Sequence, residues 1–518
     1  MERFIWVGPY LEPGGYGAVA RNYLRGLAEV GSTPVPIAVG GDTTVLDAEE
    51  SAFLETLPPR PRGHETAVVH VDPRSFGPLA TAVRKLTDGP LVACTIAETD
   101  RIPADWAAAC NAFDEVWVPS EFNMLTFARS GVDQDRLRLV PYGIQTGAWS
   151  RSGPVYRGVP DDVFSFVYCF GYDWRKGFDV LLAAYLQEFE ADEPVALVLK
   201  VFDPPAGPAR PPLAQRLEDS VRLHGASLHG PDAPRVVLLD RHVGQAELAA
   251  LYRRADLYVS TERANGWGMP CMEAMATDTP VAALDWGGST EWMHPGNALL
   301  LEPGPLTPVD ARLSSERREF AGQRWPEMPV DEVRALLRAA ASGERDLRGL
   351  ATAGGREVRE RWTAPFAARA ILDRNTERAY RSRPGLRARL RGQIGLAGDS
   401  PLSEARERLL VAAFDPGPGT WRAALDAHLA AFGEDDPVTL CLLAAPGSNT
   451  DAIAGAVLAH LERRGADPER IPDTMVLAAD PEEVLVAPGL RAIVDPAPLW
   501  PLNTRRVPPT PQALRAAA

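Results

Sequence analysis

Short apolar segments alternate with helix-like segments along most of this chain, and this alternation restricts the fold more than any other feature. A predicted strand at Phe4–Val7 precedes a helical pattern at Ala18–Val30, and the pattern then repeats. Such alternation is typical of parallel α/β units, in which helices cover the strands that they connect. Further strands are predicted at Ala67–Val71, Leu91–Cys94, Glu115–Val118 and Leu137–Val140. We therefore expect an α/β fold.

A second series of predicted strands begins after residues 143–160, which are rich in glycine and proline. Its members are Phe164–Tyr168, Val195–Leu199, Val236–Leu239, Leu257–Val259 and Val281–Leu284. The chain of 518 residues is too long for one ordinary domain. We predict two Rossmann-like parallel-sheet domains, at 1–150 and 151–365, and a helix at 366–383 that crosses back to the first.

The last part of the chain partly repeats the second series. Residues 182–197 align without a gap with residues 425–440, and Arg254–Val259 resembles Arg491–Val494. The repeat predicts a smaller α/β domain at 405–518 that is a degenerate partial copy of the second domain, with a C-terminal tail. This copy is expected to pack against the core or to mediate homo-oligomerisation, with acceptor selection as an alternative. Residues 384–404 are predicted as a basic, solvated linker, with contact to an anionic surface as the alternative.

Composition excludes several classes of protein. A net charge of -15 argues against nucleic acid as a partner, because a polyanion needs a basic surface. We find neither a long apolar run nor a signal peptide, which predicts a cytoplasmic protein with at most peripheral membrane contact. The five cysteines have no paired spacing, so neither a zinc site nor a disulfide framework is expected. Basic residues are almost all arginine, which suggests a GC-rich bacterial genome.

Two adjacent cations, Arg175 and Lys176, precede Gly177 and the predicted helix that follows it. A helix N-terminus already carries partial positive charge, so two cations there are unfavourable unless an anion joins them. A diphosphate would satisfy that requirement through charge-assisted hydrogen bonds. The alternative is a solvated surface pair.

A glycine-rich loop leads into another predicted helix at residues 265–276. Its glycines let backbone amides approach a ligand, and Pro270 suits the first turn of a helix. Glu273 is then placed to accept hydrogen bonds from a diol such as a ribose. The alternative is a tight turn followed by an exposed glutamate. The predicted donor-binding residues in this loop and helix are Asn265, Gly266, Trp267, Gly268, Met269 and Glu273.

Two further glycine-containing motifs follow predicted strands. Gly14, Gly15 and Gly17 lie after the first strand, but they do not form the Gly-x-Gly-x-x-Gly fingerprint, so a Rossmann dehydrogenase is disfavoured. Their amides are candidates for contact with a phosphate or an acceptor, and a structural turn is the alternative. Gly287–Glu291 presents amides and hydroxyls, with Ser289 as the candidate donor-binding residue, and again a structural turn is the alternative.

Residues 1–382 resemble the retaining GT-B glycosyltransferases of family 4. The resemblance rests mainly on residues 262–276, together with Glu98–Pro103, Val116–Ser120 and Val140–Gly143. It implies that the two domains face a cleft. A basic pair would then bind the donor diphosphate, and a Glu-x7-Glu segment would hold the sugar and ribose. The implied reaction transfers a sugar with retention of configuration, as in hexosyltransferases of EC class 2.4.

Three departures from the family pattern concern the predicted site. Asn265 replaces the first glutamate of the Glu-x7-Glu segment, and Gly171-Tyr172 replaces a frequent Gly-Arg. No histidine lies in 91–103, where many relatives have one, so Glu98 and Thr99 are the nearest polar candidates for catalysis.

We therefore predict a glycosyltransferase with Arg175, Lys176, Glu98 and Thr99 as catalytic candidates. The expected co-substrate is a nucleoside-diphosphate sugar, without a cofactor or a metal. The expected acceptor is a glycan, a lipid-linked molecule or a small molecule. A catalytically inactive relative that binds a partner or a sugar nucleotide is the first alternative, and a nucleotide-sugar epimerase is the second.

Overall fold

The computed structural model describes most of the chain through Leu372 and separate segments beyond it. The described residues are 2–41, 46–203, 210–230, 232–310, 313–314, 317–372, 386–394, 408–414, 420–433, 436, 438–445, 448–464, 466, 472, 474–478, 490–494, 506–507, 512 and 514. They form two compact units. The first comprises Met1–Asp100, Trp117–Asn123 and Leu139–Leu386, and the second comprises Arg101–Val116, Met124–Arg138 and Arg387–Ala518.

The first sheet has six strands in the order β2-β1-β3-β4-β5-β6. They are β1 (Arg3–Gly8), β2 (Thr33–Ala38), β3 (Thr66–His70), β4 (Leu91–Cys94), β5 (Glu115–Val118) and β6 (Leu137–Leu139). The helices in this part of the chain are α1 (Gly15–Glu29), α2 (Ala48–Glu55), α3 (Phe76–Val83), α4 (Ala104–Cys110) and α5 (Glu121–Arg129). The sequence analysis missed β2, which contains Pro34 and Pro36. Proline weakens the strand signal, and it is tolerated here because β2 is an edge strand.

The second sheet has six strands in the order β12-β11-β10-β7-β8-β9. They are β7 (Phe164–Gly171), β8 (Val195–Phe202), β9 (Arg235–Leu239), β10 (Leu257–Ser260), β11 (Val281–Leu284) and β12 (Leu299–Leu301). The helices that accompany them are α6 (Phe178–Glu188), α7 (Leu213–Arg222), α8 (Gln245–Arg254) and α9 (Met269–Ala276). A short antiparallel pair, β13 (Leu306–Pro308) and β14 (Arg324–Pro326), follows the sheet. The strand β12, with three residues, was too short to predict.

Three helices follow the second sheet, namely α10 (Val330–Ala341), α11 (Leu347–Arg361) and α12 (Ala364–Leu372). The helix α12 packs against α1 at Gly26, where an added Cβ atom would lie 2.3 Å from the Ala364 carbonyl oxygen. Only glycine permits so close an approach of two helices. The chain therefore returns to α1. The crossing-back helix at 366–383 stays a prediction, and residues 373–383 lie outside the described residues.

The C-terminal sheet has five strands in the order β17-β16-β15-β18-β19. They are β15 (Arg408–Ala413), β16 (Val438–Ala444), β17 (Thr474–Ala478), β18 (Leu490–Val494) and β19 (Arg506–Val507), accompanied by helices at Thr420–Ala431 and Thr450–Arg464. The second sheet has the same order over its first five strands, β9-β8-β7-β10-β11. The two repeats in the sequence therefore connect elements at equivalent positions. That this domain is a degenerate copy stays a prediction, and Pro418-Gly419, which replace the basic pair in it, lie outside the described residues.

The region predicted as a solvated linker, 384–404, contains a helix, α13 (Leu386–Gln393). Leu390 and Ile394 are fully buried, and Arg391 is nearly so. In the second unit, the Arg129 guanidinium donates a hydrogen bond of 2.6 Å to the Ile394 carbonyl oxygen. The prediction of a solvated linker is wrong for this helix, because leucine and isoleucine spaced four residues apart give it an apolar side that packs. Residues 395–404 lie outside the described residues.

Both large sheets have a position where the strand order reverses. In the first sheet it lies between β1 and β3, and in the second it lies between β7 and β10. Ligands of open parallel sheets bind beyond the carboxyl ends of the strands at such positions. The segments that follow β1, β3, β7 and β10 are therefore where a binding site is expected.

Candidate functional site

The basic pair occupies a short 3₁₀ turn, Trp174–Lys176, directly after β7. The Asp173 carboxylate begins this turn by accepting a hydrogen bond of 3.0 Å from the Arg175 backbone N–H. Gly177 has a positive φ of 61°, and an added Cβ atom there would lie 1.8 Å from the Thr261 carbonyl oxygen. The turn after β7 is thereby held against the loop after β10, on the two sides of the point where the strand order reverses.

The structure supplies anions for both cations from within the protein. Arg175 forms an ion pair of 2.8 Å with Glu98, in which the two side chains are 17% and 25% exposed. It lies 3.4 Å from Asp173 and also donates to the Ala264 carbonyl oxygen. Lys176 forms an ion pair of 2.8 Å with Glu262. The prediction of a solvated surface pair is wrong, since carboxylates satisfy both cations at a largely buried position.

Two of the catalytic candidates, Glu98 and Arg175, are therefore in direct contact. Burial alone would raise the pKa of Asp173, but the charges of Arg175 and Arg317 outweigh it and hold that pKa below its usual value. Asp173 is thus an ionised carboxylate beside Arg175. Glu98 comes from the segment after β4, so it is the carboxylate that joins the first sheet to the basic pair.

Thr99, the other catalytic candidate, contacts a different part of the chain from Glu98. It is nearly fully buried, and its hydroxyl donates to the Gln323 side-chain oxygen. Its neighbour Asp100 accepts from the Arg324 backbone N–H at 2.7 Å and from the Arg324 guanidinium at 3.0 Å. The segment after β4 is thus held by the turn before β14 and by that strand. Thr99 stabilises this contact, which was not predictable from the sequence because residues 99 and 323 are far apart in the chain.

The glycine-rich loop enters α9 at Gly268, whose φ is 85°. The Asn265 side-chain oxygen accepts a hydrogen bond of 2.9 Å from the Trp267 N–H. The Trp267 carbonyl in turn accepts one of 2.9 Å from the Trp292 indole. These bonds fix the backbone that presents the amides of the first helical turn, which have no acceptor within the helix. The asparagine oxygen that was predicted to contact a sugar is therefore engaged in its own loop.

The loop after β11 packs directly on the glycine-rich loop. The Gly288 N–H donates to the Asn265 carbonyl at 2.8 Å, and a Cβ atom at Gly288 would lie 1.6 Å from the Gly266 carbonyl oxygen. Ser289 is buried, and its hydroxyl donates to the Trp286 carbonyl at 3.3 Å. The contacts of Gly288 and Ser289 favour the structural reading of this motif.

Glu273 is buried in the second turn of α9, where its side chain accepts a hydrogen bond of 3.2 Å from the Tyr252 hydroxyl. Burial raises the pKa of Glu273 to about 8, although the Tyr252 hydrogen bond and the charge of Arg21 oppose this effect. The carboxyl group is therefore largely protonated at neutral pH. The alternative of an exposed glutamate is wrong, since only 9% of the residue is exposed.

Arg21 also lines a cavity of about 400 Å³ in the first unit. Its walls come from α1, α2, the segment after β6 and the start of α8, and they include Arg21, Asn22, Arg25, Phe53, Gln145 and Gln245. The volume is within the range of small-molecule sites. The sequence analysis missed this cavity, because its walls come from four elements that are distant in sequence and carry no recognisable motif.

The glycines after β1 have two different roles. A Cβ atom at Gly17 would lie 2.0 Å from the Glu12 carbonyl oxygen, so this glycine is required by the turn. A Cβ atom at Gly14 or Gly15 would meet no atom within 4 Å. Gly14 and Gly15 therefore leave space beside the backbone, whereas Gly17 serves the local structure.

A buried ion-pair cluster connects the glycine-rich loop with the turn that carries the basic pair. Arg263 forms two hydrogen bonds of 2.8 Å with the fully buried Asp179 at the start of α6. It also forms an ion pair of 2.9 Å with Glu327, and His224 contacts Asp179 at 3.0 Å. Because Arg263 lies two residues before Asn265 and Asp179 lies three residues after Lys176, this cluster fixes the glycine-rich loop and the turn of the basic pair relative to each other.

Comparisons with known proteins agree with this arrangement. The family model described as Glycosyl transferases group 1 matches residues 162–311, which include the second sheet, the basic pair and the glycine-rich loop. A D-inositol 3-phosphate glycosyltransferase of Catenulispora acidiphila is 28% identical over 274 residues. The match covers 49% of this chain and 58% of that relative, so the chain spans little more than half the length of the curated protein that it matches.

Solved structures resemble the fold. The Anabaena protein HepE in complex with UDP-glucose is similar with a TM-score of 0.52 and 15% identity, over 73% of this chain and 100% of that one. The same protein in complex with UDP and glucose is similar with a TM-score of 0.51 and the same identity and coverage.

The predicted α/β fold, with Rossmann-like parallel sheets of the GT-B kind and a further C-terminal sheet, is confirmed. Residues 162–311 are a glycosyl transferase group 1 domain. Among the helices within the described ranges, none is both long and apolar enough to cross a membrane.

Proposed function

We propose that this protein is a retaining glycosyltransferase of family 4. It transfers a hexose from a nucleoside-diphosphate sugar to a hydroxyl group of a glycan, a lipid-linked molecule or a small molecule. The observation that carries the proposal is the meeting of the basic pair and the glycine-rich loop where the second sheet reverses its strand order. The bacterial, cytoplasmic setting expected from the composition is part of the same proposal.

The donor diphosphate is proposed to lie between Arg175, Lys176 and the amides at the start of α9. Negative charge grows on the leaving diphosphate as the bond to the sugar breaks, and fixed cations and amides stabilise it. The acceptor hydroxyl attacks the anomeric carbon on the face that the diphosphate leaves, and a phosphate oxygen takes the hydroxyl proton. Configuration is then retained without a protein nucleophile, and the two cations supply the positive charge that the reaction requires.

Glu273 and the cavity beside Arg21 are proposed to hold the nucleoside. A protonated carboxyl group both donates and accepts hydrogen bonds, so Glu273 is suited to the two hydroxyls of a ribose. The amides of Asn22, Gln145 and Gln245 offer donors and acceptors that match the edge of a base. The curated relative and the HepE complexes support this proposal, since their names refer to glycosyl transfer and to UDP-glucose.

Donor binding in this arrangement is an exchange of anions. The diphosphate takes the place of Glu98 on Arg175, while Asp173 and the Ala264 carbonyl keep their contacts with the guanidinium. The release of Glu98 removes one contact of the segment after β4, from the first sheet, while Thr99 and Asp100 continue to hold that segment. The ion pair between Glu98 and Arg175 therefore links occupation of the donor site to the acceptor side.

A second candidate function is a glycosyltransferase-like protein that binds a sugar nucleotide or a partner without transfer. Two observations favour it. Both cations are already paired with carboxylates, and the Asn265 oxygen is bonded within its own loop. An acceptor-dependent turnover assay separates the two functions, because only the first one releases a nucleoside diphosphate.

The experiment that tests donor binding is a thermal-shift screen with UDP-, GDP-, ADP- and dTDP-glucose. A ligand that binds only the folded state stabilises it by RT ln(1 + [L]/Kd), so the true donor class gives the largest shift. The test variant is Lys176→Met with Glu262→Gln, which removes both charges without leaving either one buried and unpaired. Lys85→Ala, at an exposed lysine, is the control.

We expect the control to keep the shift and the double variant to lose it while remaining folded. If the double variant responds to the same nucleotide sugar with an unchanged shift, the basic pair does not bind the donor and the proposal is wrong.

A further inference from the structure

His70 is the last residue of β3, at the carboxyl edge of the first sheet. The strand order of that sheet reverses between β1 and β3, so His70 and the start of α1 lie where a ligand of this sheet is expected.

The His70 imidazole is fully buried, and neither ring nitrogen has a hydrogen-bond partner among the residues that the structure describes. This differs from its neighbour Tyr23, whose hydroxyl donates to the carbonyls of Val140 and Pro141 at 3.1 and 3.0 Å. A buried polar group without a partner costs stability. Burial lowers the pKa of His70 to about 3, so the ring is neutral and offers one donor and one acceptor.

Aromatic rings surround His70, and one of them belongs to the first turn of α1. The ring centroids of Trp6, Tyr23 and Tyr142 lie 5.6, 6.1 and 6.3 Å from that of His70. The fourth neighbour, Tyr16, lies 5.3 Å away and is only partly buried as a residue. Tyr16 is therefore the most exposed of these four neighbours, since the other three are buried.

Two paths of contact lead from His70 towards the proposed reaction centre. Through Tyr16 it reaches the segment after β4, since the Tyr16 and Thr95 hydroxyls are hydrogen-bonded at 3.3 Å and Glu98 lies three residues after Thr95. Through Tyr142 it is next to Trp267 of the donor loop, whose ring centroid lies 5.5 Å from that of Tyr142. One aromatic ring thus separates His70 from the segment that carries Glu98, and another separates it from the loop of the donor site.

We propose that His70 is a binding residue for hydroxyl groups of a polyhydroxylated acceptor, and that Tyr16 covers it in the free protein. The proposal rests on the function proposed above. The neutral imidazole donates to one hydroxyl and accepts from another, which satisfies both ring nitrogens. Tyr16 is the second residue of α1, and its hydroxyl forms a hydrogen bond of 3.3 Å with Thr95. Rotation of the Tyr16 side chain away from His70 would break this hydrogen bond and the contact between the two rings.

Modification with diethyl pyrocarbonate followed by peptide mass spectrometry tests the covering role of Tyr16. The reagent labels neutral imidazoles that it can reach, so access decides whether His70 reacts. We expect His70 to be unlabelled in the wild type and in Tyr16→Phe, which keeps the ring, and labelled in Tyr16→Ala. His64, whose side chain is 83% exposed, is the internal control and should be labelled in every form.

Protection of His70 from labelling in Tyr16→Ala tests whether a polyhydroxylated ligand binds at this residue. We expect an excess of at least one of three probes, myo-inositol, D-glucose or glycerol, to reduce labelling of His70 at least fivefold without affecting His64. If His70 stays unlabelled in Tyr16→Ala, or if none of the three probes protects it, the proposal is overturned.

The variant His70→Phe should raise stability while it weakens acceptor binding. Because phenylalanine fills the same space without polar nitrogens, the thermal midpoint should rise, whereas the KM for the protecting probe as acceptor should increase at least tenfold. The KM for the nucleotide sugar should stay the same. A lower midpoint or an unchanged acceptor KM contradicts the role of His70. Failure of the donor proposal is distinguishable, since it appears as a missing nucleotide-sugar thermal shift in the wild type, which does not depend on His70.

Discussion

The ion pair between Glu98 and Arg175 allows a quantitative prediction, because the proposed function requires a donor diphosphate to replace Glu98. The pair is 2.8 Å long and largely buried, with side-chain exposures of 17% and 25%, so solvent screens it only in part. A hydrogen bond to a charged group contributes about 1.5–3 kcal/mol, and a neutral one contributes about 0.5–1.5 kcal/mol. Replacing Glu98 with glutamine should therefore reduce the cost of displacing this side chain by about 1–1.5 kcal/mol. That difference corresponds to a roughly 5- to 13-fold tighter binding of the nucleoside diphosphate.

Isothermal titration calorimetry measures this effect on the wild type and on Glu98→Gln. The ligands are the nucleoside diphosphate of the sugar nucleotide that stabilises the protein most, and its nucleoside without phosphate. Asp88→Asn, at an exposed residue, changes the net charge by the same amount and is the control. We expect Glu98→Gln to lower the Kd for the diphosphate alone. An unchanged or higher Kd for the diphosphate, or an equal effect on the nucleoside, would refute the exchange of anions on Arg175.

Three further predictions concern stability. Replacing Arg263 with methionine removes both guanidinium hydrogen bonds from the buried Asp179 and leaves it the contact with His224. The free energy of unfolding in urea should then fall by about 3–5 kcal/mol; a loss below about 1 kcal/mol would contradict the role of this ion pair. Burial raises the pKa of Glu273 to about 8, whereas the pKa of a glutamate in an unfolded chain is about 4.3. The contribution of Glu273 to stability is therefore complete below the unfolded-state pKa, and it is lost as the pH rises through the folded-state pKa. Glu273→Gln should remove a slope of up to about 1.4 kcal/mol per pH unit between these values, as measured by unfolding at several pH values, and an unchanged slope would show that Glu273 is ionised in the folded protein. Gly177 and Gly225 both have positive φ, but a Cβ atom would clash only at Gly177, so Gly177→Ala should lower the thermal midpoint clearly more than Gly225→Ala, whose cost is about 1 kcal/mol. Equal losses would mean that the close approach at Gly177 is unimportant.

The strands of both large sheets were predictable because their interiors are continuous apolar runs bounded by turn residues. The exceptions have physical reasons. The two prolines of β2 are typical of a loop, and only its position at the sheet edge makes them compatible with a strand. In α13 the arginines obscured an apolar side formed by Leu386, Leu390 and Ile394, whose burial depends on the packing partners in the structure.

The candidate site was predictable where one short segment carries the chemistry. The basic pair, the glycine-rich loop and Glu273 belong to such segments, and the structure joins the two loops at one end of the second sheet. Partners from distant parts of the chain were not predictable. The carboxylates that satisfy Arg175 and Lys176 come from positions 98 and 262, and nothing in the local sequence around the pair indicates them. His70 was missed for the same reason, since its importance depends on the aromatic rings that bury it.

The most direct test of the proposed function is acceptor-dependent release of a nucleoside diphosphate. The wild type and the double variant Lys176→Met with Glu262→Gln are incubated with the nucleotide sugar that gives the largest thermal shift and with a panel of polyhydroxylated acceptors, and the product anomer is identified by NMR. We expect the wild type to release the diphosphate and form a product with the anomeric configuration of the donor. The double variant should be at least about 100-fold slower, since the charge-assisted contact of Lys176 to the leaving group is lost. A wild type that binds the nucleotide sugar but releases no diphosphate with any acceptor, or that inverts the configuration, would contradict the proposed reaction.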